Sequence, residues 1–550
     1  MSTPFEISDR FTDQWADLSP VDATSSGVAG RDHLSTDYSP DGEAQRAALY
    51  RSTRRQLSKH VDHPDRAQAM ASRVIVGWLD TRISDHDDQK WARDINHIYG
   101  PFQNMRDSFD VMPKASQEDW VSICARLDGF GGMLAGYRES LTVGVEAGDT
   151  VARRQAESLL SQVEAAASDQ SRFLTFPGEA DSAGIDSVRV TEAVDAARSS
   201  CAHFAEWLRT SYLPVANPHD AVGEERYLQG ADHFLGMALD LHETYEWGWS
   251  EVYRLRSEMA STAADIDPDL TIEEVVDLLD TDPDRSAATR QEFIDFVFDI
   301  QQQAIEQLAG EHFEVPSEMR SISVNIAPPG GSLGAWYIGP SEDFSRSGSI
   351  WYALGERERI PYWQEVSTAY HEGFPGHHLQ VATAVHEREK LSRFQRSVVW
   401  YSGAGEGWAL YAEQLMDELG FFEKPEYRLG LLSSQLFRAA RVVVDIGTQL
   451  ELRIPPDAPL HRGEVWDYEK AVDYMEKVGL QPRDIAESEV KRYLGWLGQA
   501  ISYKVGEREI LKIRDESMIR DGLRFDRKRF HRQMLEAGAI RLDLLREVML

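Results

Sequence analysis

Cysteine is almost absent. The 550 residues hold only Cys124 and Cys201, too few for a disulfide framework. Long apolar runs are missing too: no stretch approaches the roughly 18 apolar residues of a membrane-spanning helix. The opening MSTPFEISDRFTDQWADLSP is acidic and has no apolar core, so it does not read as a signal peptide. On these grounds a cytoplasmic location is expected. No repeat with a period of about 20–50 residues occurs, which argues against a solenoid.

Positive charge is also in deficit. Lys and Arg number 58 against 92 Asp and Glu, a net of −34. Such a surface repels nucleic-acid phosphates and anionic membranes, so neither is an expected partner. The acidity serves solubility first, and steering of a cationic substrate second.

What the chain has in abundance is helical periodicity. Residues up to about 42 are rich in Asp, Ser and Gly and read as a leader with turns. Helix-period segments run from about 43 to 168. A Ser/Gly/Asp-rich interval near 177–187 reads as a loop, and the helix that follows is stopped by Pro214. Thr271 with Glu274 forms a capping-box signature. At about 316 the texture changes: MRSISVNIAP, AWYIGP and SGSIWYAL are β-branched or aromatic and bounded by Gly, Pro or Ser, a block of about three strands. PPGGSLG lacks the lysine of a phosphate loop, and its Gly330-Gly331 reads as a turn. Helix then returns to the C-terminus. The expected architecture is mainly α: a large two-lobed, metallopeptidase-like helical fold, with one small sheet before its densest motif. The lobes would cover 1–315 and 316–550, as one continuous unit.

That motif is TAYHEGFPGHHLQVATAVHE, followed by GAGEGWALYAEQL. His371-Glu372 on a helix suggests zinc chemistry, with an imidazole ligand and an adjacent carboxylate as general base. The usual second ligand lies four residues on, but Pro375 stands there. His378 returns to the same helix face, but about 10 Å further along the axis. His377 would point about 120° away on a regular helix. Pro375-Gly376 should break that regularity, and a bulge or kink there favours His377 over His378. Glu406, on a second helix, completes two His and one Glu with an open position. Glu413, two turns on, shares its face and is placed to orient a ligand histidine.

Gln499, Tyr503 and Glu507 would share one helix face, and Tyr503 is the candidate donor to a tetrahedral oxyanion. Lys504, beside it, is a further substrate-binding candidate that projects differently. In the strand block, Tyr337, Arg346 and Tyr352 are substrate-binding candidates: a strand beside the zinc helix can pair with an extended peptide, and Arg346 could clamp a carboxylate. Arg441 and Asp445 read as a structural (i, i+4) pair.

HEGFPGHHLQ matches the HExxPGHxxQ signature of the family catalogued as domain of unknown function 885, which resembles the gluzincin zinc metallopeptidases. DLSPVDATSSG and DYSPDG resemble its N-terminal region. SEDFSRSGSIWYAL, EGWALYAE, FRAARVVVDIG and GQAISYKVGEREI resemble its catalytic half. The Glu406–Glu413 spacing is similar to that of the thimet-oligopeptidase and Taq-carboxypeptidase-like families. The resemblance implies His371, His377 and Glu406 as zinc ligands and Glu372 as base. One departure is Leu497 before Gly498-Gln499-Ala500, where Pro is more usual. The function expected is a zinc-dependent peptidase acting on short peptides. The alternatives are a zinc hydrolase of small amides, isopeptides or esters, and a metal-free helical scaffold with a vestigial site, the last motivated by Pro375.

Overall fold

A computed structural model describes residues 2–327 and 334–550; the Gly330-Gly331 turn lies outside them. The chain is mainly helical with two small sheets. It divides into two compact units, one of residues 1–222, 392–399 and 491–496, the other of 223–391, 400–490 and 497–550. The division therefore falls near 222 and not at 315. The reason is that helix α1 (Leu241–Ile266), expected with the N-terminal lobe, packs along a C-terminal helix.

In the first unit the opening residues are helical, not a leader with turns: helices span Pro4–Leu18 and Pro20–Ser25. The Asp, Ser and Pro content belongs to helix starts. Thr3 and Glu6 form a reciprocal capping box, and Ser39 caps the helix Pro40–Leu57. The expected loop near 177–187 is instead largely a short helix, Phe176–Ser182. Pro214 acts as expected: the helix Ser187–Trp207 passes through a π turn into a 3₁₀ turn, Leu213–Val215. The core here is aromatic, with Phe109, Phe130, Phe173 and Phe176 packed together at 5.5–6.4 Å between ring centroids. Each such ring, fully buried, contributes about 1.5–3 kcal/mol. Cys124 and Cys201 are buried free thiols.

The second unit carries the strand block. After helix α2 (Arg290–Leu308) come β1 (Ile322–Ile326), β2 (Gly334–Ile338) and β3 (Gly348–Ala353). The sheet order is β1-β3-β2, with β3 parallel to β1 and antiparallel to β2. The central strand is almost wholly buried, while β2 is an edge strand with Trp336 and Ile338 exposed. A two-residue pairing of Ser286–Ala287 with Ile360–Pro361 is too short to show in sequence. The Thr271–Glu274 capping box forms as expected.

Five helices frame the motif: α3 (Glu365–Glu372), α4 (His377–His386), α5 (Ser402–Glu418), α6 (Pro425–Gln449) and α7 (Ser502–Asp521). Helix α1 lies along α6, and α5 lies along α7. The second contact is backbone on backbone, since a Cβ on Gly506 would sit 1.9 Å from the Gly403 carbonyl oxygen. No helix among the described residues is long and apolar enough to cross a membrane.

Candidate metal centre

The histidines of the motif come from two helices, not from one bulged helix. Helix α3 ends at Glu372, the chain turns through Gly373-Phe374-Pro375-Gly376 with a cis Phe374–Pro375 bond, and α4 starts at His377. Gln301 of α2 braces the turn: its carbonyl accepts from the Phe374 N–H at 2.6 Å and its amide donates to the Ala369 carbonyl at 2.8 Å. Trp408 of α5 donates to the Pro375 carbonyl at 3.0 Å. Gly376 N–H bonds the Tyr370 carbonyl, and a Cβ there would lie 2.0 Å from the His371 carbonyl oxygen. The turn is therefore a packed, hydrogen-bonded element that resets the chain, so that position 377 faces the same point as 371.

At that point three ligand atoms converge. His371 Nε2 and His377 Nε2 each lie 3.3 Å from Glu406 Oε2, and the three form the metal-capable His/Cys/Asp/Glu cluster among the described residues. The remaining ring nitrogens are taken. His371 Nδ1 meets Glu413 Oε1 at 2.7 Å, and Glu413 Oε2 accepts from Ser367 Oγ at 2.5 Å. His377 Nδ1 meets Gln380 Oε1 at 3.3 Å, and the Gln380 amide donates to the Ala404 carbonyl. With both Nδ1 atoms engaged as donors, both Nε2 lone pairs are presented to one point.

The electrostatics favour a cation there. Burial alone would pull His371 down, but hydrogen bonds to Glu406 and Glu413 push it up to about 10. His377 is likewise pulled down by burial and raised overall by Glu406. Burial pushes the Glu413 carboxyl up, and the His371 bond and charge outweigh it, so it stays below its ordinary value. Burial raises Glu372. Two nitrogens and one carboxylate oxygen, each ring held from behind, are the donor set of an open zinc site.

The structure places the other predicted residues less uniformly. Glu372, next to His371 on the last turn of α3, is half-buried. His378 is not among the converging groups: its Nε2 meets the Met319 carbonyl at 2.8 Å and its Nδ1 meets the Tyr337 hydroxyl at 2.9 Å. Burial lowers it to about 4, so it is neutral, accepts from Tyr337 and donates to Met319. The Tyr337 hydroxyl is thus engaged inside the protein. Tyr352 is fully buried against Phe293, which removes it from any substrate-facing surface. Arg346 stands exposed on the loop before β3. Tyr503 opens α7, with the Arg441 guanidinium 4.8 Å above its ring. Arg441 bonds Glu489, and Asp445 accepts from the Tyr227 hydroxyl. Lys504 points away from Tyr503 into a separate buried group with Gln435 and Glu507.

Gln380 and Ser367 carry roles that sequence spacing did not assign. The available signal for Gln380 was its (i, i+3) step from His377; for Ser367 there was none, because its partner is on another helix. Trp400, 44% exposed with its ring 5.8 Å from that of His377, is a further wall of the site. Replacing Gln380 by Leu should weaken divalent-metal affinity by about 10–100-fold with little loss of fold. Competition with a chromophoric chelator would measure it, and an unchanged affinity would show that Gln380 does not orient His377.

This fold and site define a helical protein with a candidate two-histidine, one-carboxylate metal centre. The chain belongs to the family described as "Bacterial protein of unknown function (DUF885)", whose model matches residues 20–549. Two solved structures share the fold. One is described as the putative lipoprotein from Colwellia psychrerythraea, with TM-score 0.83, 22% identity and coverage of 100% of this chain and 99% of that one. The other is a putative lipoprotein of unknown function from Shewanella oneidensis, with TM-score 0.77, 18% identity and full coverage of both chains. No curated protein matches. The lipoprotein descriptions overturn the cytoplasmic expectation. That expectation rested on scarce cysteine, the lack of long apolar runs and an opening that does not read as a signal peptide, and none of these is peculiar to one compartment.

Proposed function

We propose that this protein is a zinc-dependent hydrolase of gluzincin type that cleaves short peptides. The observation that carries the reading is the convergence of His371 Nε2, His377 Nε2 and Glu406 Oε2, with both Nδ1 atoms held from behind. Zinc held by these residues supplies Lewis-acid polarisation of a carbonyl and a water acidified towards pKa about 7. Glu372 takes the proton from the attacking water and passes it to the leaving amine. Tyr503 is the donor assigned to the oxyanion. Helix α3 packs beside edge strand β2, whose free main-chain edge suits an extended peptide better than a small ester. The scaffold alternative drew on Pro375 in the usual ligand position. It loses weight once the ligand role passes to the first residue of α4.

The test is elemental analysis of protein purified without chelators or a histidine tag, wild type beside His377→Ala. The expected result is about one zinc per wild-type chain, lost in the variant. Zinc retained by the variant would overturn the ligand assignment. A wild type that takes up no metal when zinc is supplied would overturn the reading itself.

A further inference from the structure

The metal centre has an aromatic neighbour that its ligand chemistry does not use. Trp400, two residues before α5, is 44% exposed, and its ring lies 5.8 Å from that of His377 at an interplanar angle of 54°. A single exposed apolar side chain is ordinary on a protein surface. This one is held in a defined pose. The Tyr401 N–H donates to the Ala539 carbonyl at 2.9 Å, which fixes the chain just after it, and the indole rests on Gly405, the residue before ligand Glu406.

The contact with Gly405 shows which part of the ring is covered. A Cβ at Gly405 would lie 2.3 Å from Cζ2 of Trp400, and 2.7 and 2.8 Å from the ring atoms on either side of it, Cε2 and Cη2. The flanking atoms are only slightly farther than the central one, as for an approach along the ring normal; an edge-on approach would leave them much farther away. One face of the indole is therefore laid against the backbone of α5, which only a residue without Cβ allows. The exposure of Trp400 falls on the opposite face and the rim.

We infer that this free face is the subsite for an aromatic side chain beside the scissile bond, which makes Trp400 a specificity-determining residue. The identity of the ligand rests on the hydrolase reading; the stacking surface does not. Successive residues of an extended peptide rise about 3.3 Å each. A group stacked on a ring 5.8 Å from that of His377 thus belongs to a residue adjoining the bond at the metal, not to a distant one. An aromatic partner gains from burial of the open face and from offset or edge-to-face pairing. A methyl group covers only a fraction of that face, and a cation over it gains little at an exposed position, where it keeps its water.

Three probes test this: N-acetyl-L-phenylalaninamide, N-acetyl-L-alaninamide and the cationic N-acetyl-L-lysinamide. Each is titrated into the full chain labelled with 5-fluorotryptophan, with the Trp400 signal identified by its loss in Trp400→Phe. The phenylalanine probe should shift that signal saturably and bind about tenfold or more tightly than the other two. In Gly405→Ala the added Cβ lifts the ring from α5, so the preference should disappear while the far-ultraviolet circular dichroism stays unchanged. On peptides, Trp400→Ala should lower kcat/KM about tenfold for a substrate with Phe beside the cleaved bond and less than about twofold for its Ala counterpart. Trp400→Phe should restore most of the loss, whereas a merely structural role would lower both substrates alike. No saturable shift at Trp400, equal binding of the phenylalanine probe and either other probe, a preference that survives Gly405→Ala, or equal losses on the two peptides would each overturn the inference. A wild type that cuts neither peptide would count against the hydrolase reading alone, because the fluorine signal reports binding without turnover.

Discussion

A Glu372→Gln protein should hydrolyse short peptides about 10²–10⁴-fold more slowly than wild type while binding zinc equally well. Gln keeps the shape of Glu and removes only its capacity to accept a proton. Glu372 is well placed to act as the base, since it follows His371 directly and sits half-buried at the end of α3. Burial pushes its carboxyl above the ordinary value, and the charges of His371 and His377 offset this only in part, the direction that suits a group that must accept a proton from water and hand it on. The loss should fall on kcat, with KM little changed, because the proton moves only in the transition state. A variant as active as wild type, at equal zinc content, would refute the assignment of the base.

The second large effect is structural. Gly376→Ala should destabilise the second unit by about 3 kcal/mol or more and abolish metal binding. The added Cβ would meet the His371 carbonyl oxygen at 2.0 Å and the Tyr370 carbonyl oxygen at 2.4 Å. Both are backbone atoms of α3 and cannot swing aside as a side-chain tip can. The only relief is to separate α3 from α4, which moves His377 away from His371. Gly132→Ala is the control: a Cβ there meets nothing within 4 Å, and within a helix the change should be neutral or stabilising by up to about 1 kcal/mol. Urea unfolding with parallel metal analysis distinguishes the two. A Gly376→Ala protein with wild-type stability and metal content would show that the Pro-Gly turn is not what aligns the histidines.

Both expectations depend on features that differ in how far they can be read from sequence. The helices were legible wherever apolar residues recur at the helical period, and the capping box at Thr271 was legible because both partners lie within one turn. The opening helices were not. Their Asp, Ser and Pro residues are common to turns and to helix N-termini, and the difference lies in which backbone N–H each side chain receives. The sheet was legible as a block, but its order was not: β3 stands between β1 and β2, and parallel pairing of β1 with β3 depends on the crossover between them. The unit boundary failed for a related reason. Helix α1 is local in sequence to the N-terminal helices but buries its face against α6.

The metal centre divides along the same line. Residue types and spacing alone singled out His371, Glu372, Glu406 and Glu413, because ligand and base are adjacent on one helix and two carboxylates seven residues apart share a face of another. They also favoured His377 over His378. Long-range packing supplied what spacing cannot contain: the end of α3 and restart of α4, the hold of Gln301 and Trp408 on the turn between them, and the bond that commits His378 to Tyr337. The same packing withdrew Tyr352 into the core and turned Lys504 away from Tyr503 into a separate buried group. Side-chain chemistry and helical period are local properties, written residue by residue. Which buried atoms are left to meet one another depends on contacts between residues tens to hundreds of positions apart, and those exist only once the helices have packed.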